Sequence, residues 1–239
     1  LEEAAAVAGG AVDRDIADLV SGLIAKSLVG RVADTGSTVP QRFTMLETIR
    51  EFGIEQLVKA GEEDDIRRLH AHYYFGVVIS TTVTGRRVHR LFEPESSFIQ
   101  FVRASYGNVR SALEFLVNKE DRERALEMAT RLTIHWWLIG HYAECESWLK
   151  QTLSPSGDLP RKHRANALWS MSMMMHEQGR IEDAAPLAAE AVALNRETGD
   201  DLALLSSLSN LSNIELSLGH VEQARENALE GLRLSRQID

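Results

Sequence analysis

Cysteine is nearly absent from this sequence: its 239 residues include one, Cys145. A lone thiol excludes an internal disulfide and suits a reducing, cytoplasmic compartment. No apolar run approaches the roughly 20 residues that cross a bilayer, and no signal peptide opens the chain. Excess positive charge is missing too. The formal net charge is −9, which argues against broad nonspecific binding to nucleic acid or anionic membrane. No Gly-x-x-x-x-Gly-Lys-Ser/Thr loop occurs, so nothing here supplies the amides and lysine that cradle nucleotide phosphates. No Ser/His/Asp or Cys/His set stands out, and the carboxylates are scattered as on solvated helical faces. What remains is the composition of an ordinary soluble domain, 44% apolar and 26% charged, long enough to bury a good core. Because it begins at Leu1 in an alanine-rich helical pattern, the chain reads as a piece of a longer protein.

The clearest positive signal is a period. Gly179 and Gly219 are 40 residues apart, and Gly140 precedes Gly179 by 39. Two positions after each glycine comes an apolar residue, Tyr142, Ile181 or Val221, and five after comes a small one, Cys145, Ala184 or Ala224. Leu153, Val192 and Leu232 follow at thirteen, Thr133, Ser172 and Ser212 lie seven before, and Leu132, Met171 and Leu211 eight before. Small residues at fixed places let paired helices approach, and large ones fill the ridge beside them. A fixed period of this size marks a helical repeat array. It resembles the tetratricopeptide type, with a period a few residues above the usual value of about 34. The turns between pairs are expected at Asn118–Asp121, Ser154–Pro160 and Thr198–Asp201.

Residues 1–60 read differently. A short helix over 1–7 stops at Gly9-Gly10, and a second runs from Asp13 to Lys26 with Ile16, Leu19, Val20, Leu23 and Ile24 on one face. Ser27–Val29 is a short extended run, 33–38 a polar turn, Arg42–Met45 a returning strand, and Leu46–Ala60 a helix ended by Gly61. Helix, strand, turn, strand, helix is the back half of a winged helix. A further helix is expected over 62–80, with Ile66, Leu69, Tyr73 and Val77 buried, then a joint over Thr81–Pro94 containing the basic run Arg86-Arg87-Val88-His89-Arg90, which reads as a solvated loop. Two helices follow over 96–106 and 108–118. The domains are therefore set at 1–60, 61–94 and 95–239. The expected fold is all-α: a right-handed, tetratricopeptide-like superhelix behind a partial winged helix with a short β-hairpin.

The run Arg42-Phe43-Thr44-Met45-Leu46-Glu47-Thr48-Ile49-Arg50-Glu51-Phe52-Gly53 resembles the end of the winged helix in STAND-class signalling ATPases. The nearest group is the bacterial regulators of NB-ARC, AfsR and LuxR type. Leu19-Val20 with Lys26–Val29, Arg67–Tyr74 and Asn108–Leu113 are similar to landmarks of the same family. The resemblance implies an upstream ATPase in cis that uses ATP or ADP with Mg, absent from this sequence, and in some members an adenylyl cyclase or a LuxR-type DNA-binding domain. It departs from the family at Met45-Leu46-Glu47, where related proteins carry Met-His-Asp: Leu46 cannot donate the hydrogen bond that senses phosphates. Ser105 stands where a glutamate is frequent. Residues 1–60 hold six basic and nine acidic residues, too acidic for a helix that reads DNA, so no direct DNA contact is expected.

Several residues invite chemical readings and mostly decline them. Met171, Met173, Met174 and Met175 before His176 could suggest a soft metal, but they point in different directions around a helix and read as core filler. His70 and His72 diverge by roughly 200° on a helix. Cys145 takes the small-residue place of its repeat and should be buried and inert. No catalytic residue, cofactor or metal site is assigned. The useful surface of a repeat array is its concave side. In tetratricopeptide-like repeats the first helix of each pair lines it: here Arg131, Ile134 and Trp137, then Asn166, Trp169, Met173 and His176, then Ser206, Ser209 and Asn213. Trp136, Trp137 and Trp169 could each serve the core or the groove, but adjacent Trp136 and Trp137 cannot face the same way. The expected function is non-catalytic: a sensor region that binds a protein or small-molecule effector and passes the event to the upstream ATPase and so to transcription. The rival is a scaffold that holds a partner without switching.

Overall fold

The computed structural model describes residues 1–10, 15–32, 42–81, 97–153 and 159–238. Among them are eleven helices and one two-stranded sheet. The chain divides into two compact units, 1–76 and 77–239. The expected joint at 81–94, with its basic run, lies almost wholly outside the described residues, as do the polar turn at 33–38 and most of the turn at 154–160.

The first unit holds α1 (Glu2–Ala8), α2 (Ile16–Ala25), β1 (Val29–Arg31), β2 (Phe43–Met45), α3 (Glu47–Ala60) and the first part of α4 (Glu63–Thr81). Asp15 caps α2 by accepting from Ala17 N at 2.6 Å. The strands pair antiparallel with Val29 opposite Met45 and Arg31 opposite Phe43. Gly61, at φ 74°, closes α3. Tyr74, 2% exposed, donates its hydroxyl to Glu3 at 3.0 Å and packs its ring against His70 at 4.7 Å.

The second unit is an all-α superhelix of stacked helix pairs. Its elements are α5 (Ser97–Asn118), α6 (Arg122–Leu138), α7 (Tyr142–Thr152), α8 (Arg161–Glu177), α9 (Ile181–Thr198), α10 (Asp201–Ser217) and α11 (Val221–Ile238). The two helices expected over 96–106 and 108–118 join end to end in α5 across a kink at Ser105, with φ −114° and ψ 18°. Gly107 stands between the halves, but the break falls two residues earlier, at Ser105, where one distorted residue redirects the axis. Helices pair as α6 with α7, α8 with α9 and α10 with α11, and each pair packs on the next through α7–α8 and α9–α10. First helices also touch one another, α6 on α8 and α8 on α10.

The periodic glycines have a physical reason. Gly140, Gly179 and Gly219 sit at φ 73°, 74° and 81°, in the left-handed region between the helices of a pair. In the second pair, Gly179 N donates to His176 O and Arg180 N to Met175 O, both at 2.9 Å. The same two bonds recur around Gly140 and Gly219, which is the double closure that ends a helix with a left-handed residue. The α5–α6 turn uses the same bonds with Glu120 in the glycine place at φ 57°. A side chain in that conformation costs roughly 1–2 kcal/mol. Chemical denaturation should therefore find Gly179→Ala destabilised by about 1 kcal/mol and Glu120→Gly stabilised by up to about 1 kcal/mol.

The small-residue register forms a polar seam within the core. Thr133 donates to Ser170 Oγ at 2.9 Å, joining α6 to α8. Asn210 Nδ2 donates to Ser172 Oγ at 2.8 Å, joining α8 to α10, and Ser212 donates to the Ala224 carbonyl at 2.8 Å. Hydroxyls fit where helices approach too closely for larger groups, and each partner removes the cost of burying the other. Leu126, Leu132, Trp136, Leu149, Met174, Leu208 and Ile214, all under 2% exposed, fill the space around this seam.

Candidate functional site

The ten residues expected in the groove lie on three first helices that the fold sets side by side: Arg131, Ile134 and Trp137 on α6, Asn166, Trp169, Met173 and His176 on α8, and Ser206, Ser209 and Asn213 on α10. Ser209 and Asn213 are exposed; Arg131, Trp137, Asn166, Trp169, Met173, His176 and Ser206 are half-buried. Ile134 is buried at 6% exposed and offers almost no side-chain surface.

Contacts along the row tie its helices together. His176 Nε2 lies 3.0 Å from Ser217 Oγ, bridging α8 and α10. Arg131 stands 3.9 Å from Glu127 on its own helix. Ser206 donates to the Leu202 carbonyl at 3.0 Å. The indole Nε1 of Trp169 is buried with no hydrogen-bond partner among the described residues. The row offers aromatic, thioether and amide surface at one end and hydroxyls and an amide at the other, with little charge. Such a surface can hold a ligand by burial and hydrogen bonding.

The adjacent tryptophans part as their spacing requires. Trp136 is 1% exposed and belongs to the core, donating Nε1 to the Tyr106 hydroxyl at 2.7 Å; Trp137 is half-buried. Around Trp136 lies a cluster that sequence reasoning missed, because its members come from three helices. His135, 2% exposed, packs its ring against Tyr106 with centroids 5.2 Å apart, and its Nδ1 has no partner among the described residues. Burial first, then the nearby positive charges of Arg103 and His141, bring its pKa down to about 4. Burial pushes the Tyr106 hydroxyl far up. Burial alone would raise Glu144, but the polar groups of Tyr106, His141 and Trp148 and the Arg110 guanidinium hold it below the ordinary carboxylate range. Its Oε2 lies 3.3 Å from His141 Nδ1, while Oε1 has no hydrogen bond of good geometry, Arg110 being 3.8 Å away.

A buried carboxylate ties one pair to the next. Glu146 of α7 meets Lys150 at 2.6 Å and Arg180, ahead of α9, at 2.9 Å. Burial opposes its ionisation, and Lys150, Arg180 and Gln178 overcome that, leaving its pKa lowered. Glu146 is a clamp between pairs.

Cys145 is fully buried, 3.9 Å from Thr133 Oγ1. Burial pushes its thiol up to about 12, with the Thr133 hydroxyl acting weakly the other way. A thiol-specific disulfide reagent at about pH 8 should leave the native chain unmodified and react once denaturant opens α6–α7; rapid native labelling would contradict this packing. Met171, Met174 and Met175 are 7%, 0% and 6% exposed, so the methionine run serves mainly the core. Among the described residues no helix is long and apolar enough to cross a membrane.

No protein-family model matches the chain. It is similar to proteins named as candidate HTH-type transcriptional regulators in Mycobacterium bovis and in two strains of Mycobacterium tuberculosis, each 29% identical over 94% of this chain. The chain spans about a quarter of the length of these curated relatives, the match covering 25% of each.

Proposed function

We propose that this chain is the effector-sensing region of a transcriptional regulator of STAND type, working beside an ATPase domain carried elsewhere on the same polypeptide. The similarity to candidate HTH-type regulators, which runs nearly end to end, supports the regulatory part of this reading. The observation that carries the sensing part is the row formed by α6, α8 and α10, which touch in succession and leave Trp137, Met173, His176, Ser209 and Asn213 at least partly open. Aromatic and methionine side chains beside satisfied polar groups suit a protein or small-molecule effector. The paired glycine turns and the seam of small residues support a tetratricopeptide-like array of right-handed sense. The order α2, β1, β2, α3 supports a partial winged helix with a structural role. Asp15 at the cap of α2 and Asp18 in its first turn make it a poor reader of DNA. In this reading the fragment catalyses nothing and holds no cofactor, ATP or ADP with Mg belongs to the ATPase, and the protein works in the cytoplasm.

Coupling requires two states that the effector distinguishes. The test is hydrogen exchange on the longer regulator loaded with ATP and then ADP. A sensing region predicts altered protection in α6, α8 and α10 between the two, and loss of the effector response in Trp137→Ala at temperatures where the variant is still fully folded. Identical exchange in both nucleotide states would leave a static scaffold.

A further inference from the structure

The last helix pair presents a face that the preceding pair keeps covered. Residues forty apart hold equivalent places on α9 and α11. On α9, Ala188, Val192 and Asn195 are only 1%, 2% and 1% exposed. Asn195 Nδ2 donates to Ser207 Oγ at 2.8 Å, which puts α10 over this row. The counterparts on α11 are Ala228, Leu232 and Ser235: Ala228 is exposed, Leu232 is 48% exposed and Ser235 half-buried. The other side of α11 is occupied, since a Cβ on Gly231 would stand 3.4 Å from Leu205 of α10. The first helices repeat the contrast. His176 of α8 reaches α10 through Ser217, whereas Leu216, forty residues later, is 59% exposed.

Charge follows the same register. Arg196 of α9 grips Glu230 of α11, with Nη2 to Oε2 at 2.6 Å and Nε to Oε1 at 3.2 Å. Forty residues on, exposed Arg236 occupies the equivalent place on α11, and no carboxylate among the described residues pairs with it. An apolar row and a basic group, each matching a satisfied counterpart one period earlier, define what fits.

We propose that the α10–α11 face is a docking surface for a further helix pair of the same kind, carried on the same polypeptide. Its first helix covers Leu216, Ala228 and Leu232 and sets a small hydroxyl or amide residue against Ser235. Its second helix sets a carboxylate against Arg236. The match to a quarter of the length of its relatives is in keeping with more repeats in cis. In arrays of this kind each pair contacts only its neighbours and a true end carries a polar outer face, whereas Leu216 and Leu232 leave this one apolar.

Extending the full chain after Asp239 with a second copy of its own residues 200–238 supplies the mates of Ser235 and Arg236 in register. Thermal unfolding should then show one cooperative transition with its midpoint raised by about 5 °C or more. Leu232→Asp should abolish the rise in the extended chain and leave the unextended chain's midpoint unchanged. Arg236→Glu should reduce the rise, and reversing the charge at the appended counterpart of Glu230 should restore it. An appended pair that melts separately without raising the midpoint would overturn the proposal. So would sedimentation of the unextended chain as a dimer that Leu232→Asp dissociates, since the face would then belong to a second copy.

Discussion

Replacing Trp136 by alanine should destabilise the chain by about 3–5 kcal/mol, whereas Trp137→Ala should cost under about 2 kcal/mol. The two residues are neighbours of one type on one helix, so the contrast reads only where each side chain goes. Trp136 is 1% exposed and gives its indole hydrogen to Tyr106. Truncation leaves a cavity that α5, α6 and α7 cannot close and removes a partner of the Tyr106 hydroxyl. Trp136→Phe restores most of the apolar contact without the donor and should lie in between, at about 1–2 kcal/mol. Denaturant melts of the three variants check this. Equal losses from Trp136→Ala and Trp137→Ala would mean that the register of α6 is wrong.

Acid should weaken the fold well before carboxylates protonate. His135 is held neutral, with its pKa brought from 6.5 to about 4 chiefly by burial. The unfolded chain takes up a proton below about pH 6.5, while the folded chain takes it up only near pH 4. Stability from this group is therefore complete above about pH 6.5 and lost as pH falls toward 4. The full shift would correspond to about 3 kcal/mol; screening by solvent near the ring brings the expected loss to about 2 kcal/mol. Glu144 and Glu146 act in a lower window. Their folded pKa values lie below the ordinary 4.5, so their contribution persists above that value and is lost as pH falls through the folded ones. Melting followed between pH 7 and 4 should show a slope that His135→Phe flattens. A slope unchanged in the variant would assign the acid sensitivity elsewhere.

The sequence made the array legible because its period is enforced locally. Each glycine must adopt a left-handed conformation, and each small residue must sit where two helices nearly touch, so both leave marks one can count. The core role of Leu132, Met171 and Leu211 followed from the same register. Ile134 was harder. Its helical position suggests the groove, but its burial depends on the packing around it. The α5–α6 turn was recognised as a turn, yet its use of Glu120 in the glycine place could not be seen from composition. The Tyr106, His135 and Glu144 cluster was invisible because three helices bring it together. Leu216 was missed although it shares its register with Trp137 and His176; reading each register through to the last repeat would have found it.

Methionine oxidation tests the central claim most directly, because α8 carries four methionines within five residues, on several faces. Only Met173 lies on the open row, half-buried, while Met171, Met174 and Met175 are buried. Dilute peroxide followed by mass spectrometry should convert Met173 to its sulfoxide first, with the other three reacting only as the chain unfolds. Oxidation of Met174 as fast as Met173 in the folded protein would mean that α8 does not turn one row to an open groove and the others to the core.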